Sequence, residues 1–323
     1  MLLQRNVSVI LSPPPCEGSE RLLLMISSGP NNIESRGRWR EAISGVGGGE
    51  GEGGLKVMFL VSSCQPGQDC PHQLEEEHRH HGDILQTSLL DGHRRLGYKI
   101  LAGYVWAHQH CPGVGHVLKT DDNVVMDLPL LLSVSRHPLT DGSITCGAGT
   151  PHRNMKTLRS DRPHMTGNWS TTKEELEDDI MPDFCCGFTY ITTPGVGARL
   201  VQAANLLYPE SEVVQIEDSL ITGVLRERAG VELVSLDTSW RGWAWLRLFS
   251  HCPWLTITKL TFSNELVLSK RSSRQAVQYV GGVTEVLVWR YYLCLHLEVG
   301  LDNLNQNFPA LIPAFIWDLC TRS

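Results

Sequence analysis

Two short acidic stretches, Lys119-Thr120-Asp121-Asp122-Asn123 and Glu217-Asp218, hold the side chains of this sequence best suited to chemistry. The first closes an apolar run, Gly115-His116-Val117-Leu118, and reads as a buried strand delivering hard oxygen ligands to a sheet edge. A parallel sheet puts its ligand at such an edge. Carboxylate and carbonyl oxygens favour Mg or Mn over softer metals, so the cluster suits a divalent ion held against a diphosphate. The same Asp121, Asp122 and Asn123 side chains would equally satisfy backbone N–H groups in a turn or helix start. Glu217-Asp218 lies between a short strand-like run, Val213-Val214-Gln215-Ile216, and a helix start at Leu220 to Arg228. A carboxylate at that junction is placed as a general base or as a helix cap. Arg36 and Arg40 follow the first apolar run, where a guanidinium could meet a diphosphate bidentately or form a surface salt bridge. Lys119 is either a phosphate partner or a neighbour that balances the two aspartates.

Positioning these groups needs a scaffold, and the apolar pattern supplies one. Arg21 to Ile26, ended by Ser27-Ser28-Gly29-Pro30, reads as a first buried strand. Val57 to Val61 and Asp83 to Gln86 read as a second and third. Residues 94–109 have helical spacing, with Leu96, Ile100, Leu101, Val105 and Trp106 able to share a face. Strands alternating with helices up to Lys119 predict a mainly parallel α/β sheet. Asp127 to Leu132 resembles a helix start with Asp127 as cap. The segment 45–54 is glycine-rich, reads as a surface loop, and has no Gly-x-Gly-x-x-Gly frame, which argues against a dinucleotide fold. His78 and His81 are one turn apart in Leu74 to His81, but no further ligand stands at zinc spacing, and the stretch reads as a solvated charged helix face.

Six segments, in order, resemble glycosyltransferase family 31, the animal β-1,3-galactosyl- and β-1,3-N-acetylglucosaminyltransferases. They are Arg36 to Ile43; His81 to Thr87; Tyr98 to Gly103 with Trp106 and Cys111; Lys119 to Asn123, beside the family's Lys-x-Asp-Asp-Asp; Cys185 to Tyr190, beside Cys-x-Gly-x-x-Tyr; and Glu217 to Gly223, beside Glu-Asp-Val-Tyr-x-Gly. The resemblance implies a GT-A type nucleotide-sugar transferase fold, a mainly parallel central sheet flanked by helices. Residues 21–265 would form the catalytic domain, after an irregular segment 1–20 and before a segment 266–323 with no family counterpart. It implies an inverting transfer of galactose or N-acetylglucosamine from UDP-galactose or UDP-N-acetylglucosamine to a glycoprotein or glycolipid acceptor, in β-1,3 linkage. Asp218 becomes the base. Arg36, Arg40, Lys119, Asp121 and Asp122 become donor-binding residues, and Asp121, Asn123 and His251 the ligands of Mn2+ or Mg2+. Residues 150–183 fall where the family places a loop toward the acceptor. Asn123 stands where the family has a third carboxylate; its amide oxygen coordinates but adds no charge, which weakens the metal site. A glycan-binding relative with little or no turnover and a metal-dependent phosphoesterase are the alternative readings.

The 323 residues are 41% hydrophobic with net charge −7, enough for a substantial core and without the basic excess that nucleic acid requires. Ten cysteines and two Asn-x-Ser sites, at Asn6 and Asn168, favour a secretory lumen. Cys64 with Cys70 would close a small loop. The family is typically Golgi-resident and membrane-anchored. No window of eighteen apolar residues is visible here, so the anchor is expected to precede this sequence.

Overall fold

The computed structural model describes residues 7–44, 54–67, 70–124, 142–147, 151–159, 170–207 and 215–235, with isolated positions between 126 and 139. Asp127, the glycine-rich stretch 45–53, both sequon asparagines, His251 and the segment 266–323 lie outside the described residues, while Leu128, Leu131 and Leu132 of the expected helix start are helical.

Eight strands form one sheet: β1 (Val9–Leu11), β2 (Leu22–Ser28), β3 (Leu55–Ser63), β4 (Ile84–Leu90), β5 (His116–Asp121), β6 (Ser143–Cys146), β7 (Thr189–Thr192) and β8 (Glu232–Ser235). Their order is β1-β4-β3-β2-β5-β7-β6-β8. The pairings from β4 through β3 and β2 to β5 are parallel, as is β6 with β8. β1, β7 and β6 enter antiparallel, to β4, β5 and β7 respectively. The expected α/β sheet is therefore present, its parallel block β4-β3-β2-β5 flanked by antiparallel β1 on one side and β7 on the other.

Every residue of β2 is buried, because helices cover both faces of the sheet. Leu23 and Met25 point into a core with Leu60, Ile100, Tyr104, Val196 and Leu200. Leu22, Leu24 and Ile26 point the other way, onto Trp39, Phe59, Val61 and Leu74. The first face is covered by α3 (Leu96–His110) and α4 (Pro194–Leu207), and the second by α1 (Ile33–Ser44) and α2 (Cys70–His81). Gly197 leaves room for the Tyr104 ring, so α3 and α4 pack closely.

Three sequence expectations change. The segment 1–20 is not wholly irregular: β1 extends the sheet edge, and Cys16 is disulfide-bonded to Cys111 at the end of α3. A three-residue strand before Pro13-Pro14-Pro15 is too short to show periodicity. Residues after Glu217 form a π-helix, Ser219–Leu225, followed by one α-helical turn, Arg226–Arg228. In α2, Glu77 faces inward and is buried, so this charged helix is not simply solvated.

Candidate active site

The parallel strands end on one edge, and there the chain gathers its charge. β5 finishes at Asp121, beside the end of β2, with Ser27 opposite Asp121 in register. β7 runs antiparallel to β5, so its start lies against the end of β5, with Thr189 opposite Thr120. That reversal brings the turn Gly187-Phe188 to the acidic edge, where Thr120 Oγ1 donates to Phe188 O at 3.0 Å.

Lys119 joins the two halves of the site. Its side chain is fully buried, and its Nζ lies 3.0 Å from Asp121 Oδ1 and 3.0 Å from Glu217 Oε2. It also donates to Gly187 O at 2.5 Å. Burial opposes the ammonium, but Asp121 and Glu217 outweigh it and hold the Lys119 pKa above its ordinary value. Glu217 is buried too; Tyr190 Oη donates to its Oε1 at 2.6 Å. Burial pushes the Glu217 pKa up, as do Asp121 and Asp218, while Lys119 pulls it down. Both Glu217 oxygens accept from donors, Lys119 on one and Tyr190 on the other, which is the pattern of an ionised carboxylate held by a cation.

Asp218 begins the π-helix. Its Oδ1 accepts from Ser219 N at 2.8 Å, so it does cap the turn, as one sequence reading had it. It also approaches Gly187: a Cβ built there would lie 3.2 Å from Asp218 Cβ and Oδ2, so a larger residue would press the Asp218 side chain aside by a few tenths of an ångström. Burial pushes the Asp218 pKa above the usual carboxylate range, against the Ser219 N–H and Lys119, which favour the charged form. A carboxylate raised in this way is suited to proton transfer.

The other expected residues divide. Asp122 is committed to the protein: its Oδ2 accepts from Ser28 Oγ at 2.7 Å and Asn32 Nδ2 at 2.9 Å, and its carbonyl accepts from Trp39 Nε1. Its part is to hold the loop. Arg36 has a wholly buried guanidinium that donates to both Glu77 oxygens at 2.8 and 2.7 Å, to Ser28 Oγ, and to the carbonyls of Gly29 and Pro30. Arg40 is clamped bidentately on Asp83 at 2.7 and 2.8 Å and paired with Glu77. Both guanidinium groups are thus engaged within the protein, and Arg36 braces the loop that orients Asp122. Asn123 is exposed in the turn after Asp122.

Asp121 bears on the metal that the family implies. Its Oδ1 is buried and meets Lys119 at ion-pair distance, but without hydrogen-bond geometry. Among the described residues no three His, Cys, Asp or Glu side chains gather to hold a metal ion. Asp121 and Asn123 thus fit a hard divalent cation only as a two-donor edge, the kind that substrate phosphate oxygens and water complete for Mg or Mn.

Sequence reasoning missed two contributors. Glu217 stands beside the expected base yet serves as the partner of Lys119. Lys99, buried in α3, donates from Nζ to Ser28 O at 3.1 Å beneath the same loop; burial lowers its pKa, against Asp91, Asp121 and Asp122. A lysine among Leu96, Ile100 and Leu101 on an apolar helix face was the available signal.

A family model described as Galactosyltransferase matches residues 36–237, more than half of the chain. The chain belongs to this family, the glycosyltransferase family 31 whose motifs it carries. It is 25% identical over 184 residues to beta-1,3-galactosyltransferase 5 of Pan paniscus, covering 57% of each chain. It is 37% identical over 118 residues to beta-1,3-galactosyltransferase 4 of Homo sapiens, covering 35% of this chain and 30% of that one. Among solved structures, a Pyrobaculum calidifontis mannosyltransferase in complex with GDP-Man and Mn2+ is similar over 75% of this chain and 64% of that one, at 12% identity and TM-score 0.35. The chain spans little more than half the length of the first of these relatives.

Proposed function

We propose that residues 21–265 form the catalytic domain of an inverting hexosyltransferase, which moves galactose or N-acetylglucosamine from a UDP-sugar to a hydroxyl of a glycoprotein or glycolipid glycan in β-1,3 linkage. The observation that supports this most is the shared Lys119 ammonium, which draws together the Asp121 edge and the Glu217-Asp218 pair, Glu217 lying 98 residues after Lys119 in the chain. The two galactosyltransferase relatives favour galactose as the donor sugar.

Asp218 accepts the proton of the acceptor hydroxyl as its oxygen bonds to the anomeric carbon. The bond from that carbon to the diphosphate breaks, and its electron pair leaves with UDP. One displacement inverts the centre, so a single base is sufficient. Lys119 supplies positive charge below the edge, where negative charge develops on the leaving group. A divalent cation, held by Asp121 and Asn123 with His251 as a further ligand, supplies Lewis-acid neutralisation of the diphosphate when bound. Three disulfides, Cys16–Cys111, Cys64–Cys70 and Cys146–Cys185, suit an oxidising lumen, and we place the protein in the Golgi. Among the described residues no helix is long and apolar enough to cross a membrane.

Incubation with Mn2+, a panel of UDP-sugars and sugar acceptors, with products read by mass spectrometry and NMR, tests the reading. Elongated β-linked glycan is expected, with kcat reduced by about 10²-fold or more in Asp218→Asn. Transfer retained in that variant removes Asp218 from the role of base. Asn123 favours a second reading, a glycan-binding relative with little turnover, for which donor binding without any product would be the result.

A further inference from the structure

Of the groups gathered at the edge, Glu217 has no direct part in the proposed reaction. It is buried, and both its oxygens accept from protein donors. A buried carboxylate is costly unless it is paired, and here its pair is the same ammonium that Asp121 uses. We propose that Glu217 is a positioning residue that sets how strongly the Asp121 edge holds a divalent cation, acting through Lys119. The inference rests on the cation site proposed above.

Charge and geometry carry the argument. Lys119 has three donors and three acceptors: Gly187 O, Glu217 Oε2 and Asp121 Oδ1. Two of the three directions, to Gly187 and Glu217, have hydrogen-bond geometry, whereas the Asp121 contact is an ion pair by distance alone. The ammonium is therefore anchored on the Glu217 side and leans on Asp121 only electrostatically. Tyr190 fixes Glu217 in turn, and Tyr104 and Tyr190 lie together in the same buried layer. If the Glu217 charge is removed, Asp121 becomes the carboxylate left at ion-pair distance from Lys119, with Asp218 acting only from further off. The pair then tightens, and a cation arriving at Asp121 must compete with a full positive charge about an ion-pair distance away. With Glu217 ionised, part of that charge is already compensated. Asn123 makes the device matter more in this chain, because the edge has no third carboxylate with which to offset the lysine.

The test is a Mn2+ titration of the full chain with saturating UDP and no acceptor, following free Mn2+ by electron paramagnetic resonance, so that no turnover is needed. Glu217→Gln keeps the shape and the acceptor oxygen, and it is expected to weaken Mn2+ binding about tenfold, the scale on which outer-shell partners of metal ligands act. Lys119→Met combined with Glu217→Gln removes both charges and is expected to bind Mn2+ as tightly as the parent or more so. The opposite directions separate this role from a merely structural one, which would weaken both variants. Unchanged affinity in Glu217→Gln, or weakened affinity in the double variant, overturns the proposal. Should Glu217→Gln alone not fold, the double variant decides by the same criterion. Asn123→Asp in the parent background keeps the two readings apart: if it tightens Mn2+ while Glu217→Gln does nothing, the cation site stands and the coupling fails. If neither variant responds, the cation is not held at this edge.

Discussion

Asp121 and Asp218 matter as a pair because each is held in a different state. Asp121 is partly exposed beside a permanent cation, whereas Asp218, itself only partly buried, has its pKa raised chiefly by desolvation. For a base, a raised pKa has a definite sign: the active, deprotonated form is lost as pH falls through a value above the usual carboxylate range. The pH profile of kcat/KM should therefore show an acidic limb that begins above the ordinary range near 4, and a limb at or below that value would count against Asp218. Asn123→Asp should strengthen the Mn2+ dependence of transfer, measured as a lower half-saturating concentration; an unchanged dependence removes Asn123 from the ligand set. Much of this site was legible in the residue types. Two adjacent acids after an apolar run marked the edge, and Glu217-Asp218 marked the second half. The sharing of Lys119 was not legible, because it depends on β7 reversing direction and presenting Gly187. Nothing local to Lys119 encodes that reversal.

At the scale of elements, the two arginines expected at the diphosphate are part of a structural network. Arg36 and Arg40 from α1, Glu77 from α2 and Asp83 before β4 form a continuous chain of ion pairs, with Arg40 also 4.9 Å over the Phe59 ring. Removing Glu77 would leave the wholly buried Arg36 without a carboxylate partner, while Arg40 keeps Asp83. Glu77→Ala should cost about 3–5 kcal/mol of stability by urea or thermal unfolding. A cost near zero would mean the network is solvated after all. An amphipathic pattern could not reveal this, since Glu77 sits among Glu75 and Glu76 and only the packing singles it out. The long central strands were legible because burial on both faces makes them continuous apolar runs. β6 and β8 were not, being four residues each, and the π-helix was not, because its spacing differs from the helical period that sequence reading uses.

At the scale of the whole molecule, disulfides tie distant elements to the site. Cys146–Cys185 links β6 to the residue two before Gly187, and Cys185 N also donates to Thr222 Oγ1 in the π-helix at 2.8 Å. Cys16–Cys111 fastens the N-terminal edge strand to the end of α3 across a separation of 95 residues. Replacing Cys16 and Cys111 together by Ala should cost about 2–5 kcal/mol in denaturant unfolding and leave the site chemistry in place. The paired replacement of Cys146 and Cys185 should cost a similar amount and also lower kcat, because the Gly187 turn loses its tether. Equal kcat in the two double variants would refute that tether.

Cys186 stands directly beside Cys185, with its thiol unpaired and, through burial, pushed up to about 11. During biosynthesis the sulfur of Cys146 must therefore choose between neighbours one residue apart. Pairing with Cys186 instead would move the attachment one residue nearer to Gly187. In the finished fold the weak thiolate character of Cys186 shields the adjacent Cys146–Cys185 bond from exchange with its neighbour.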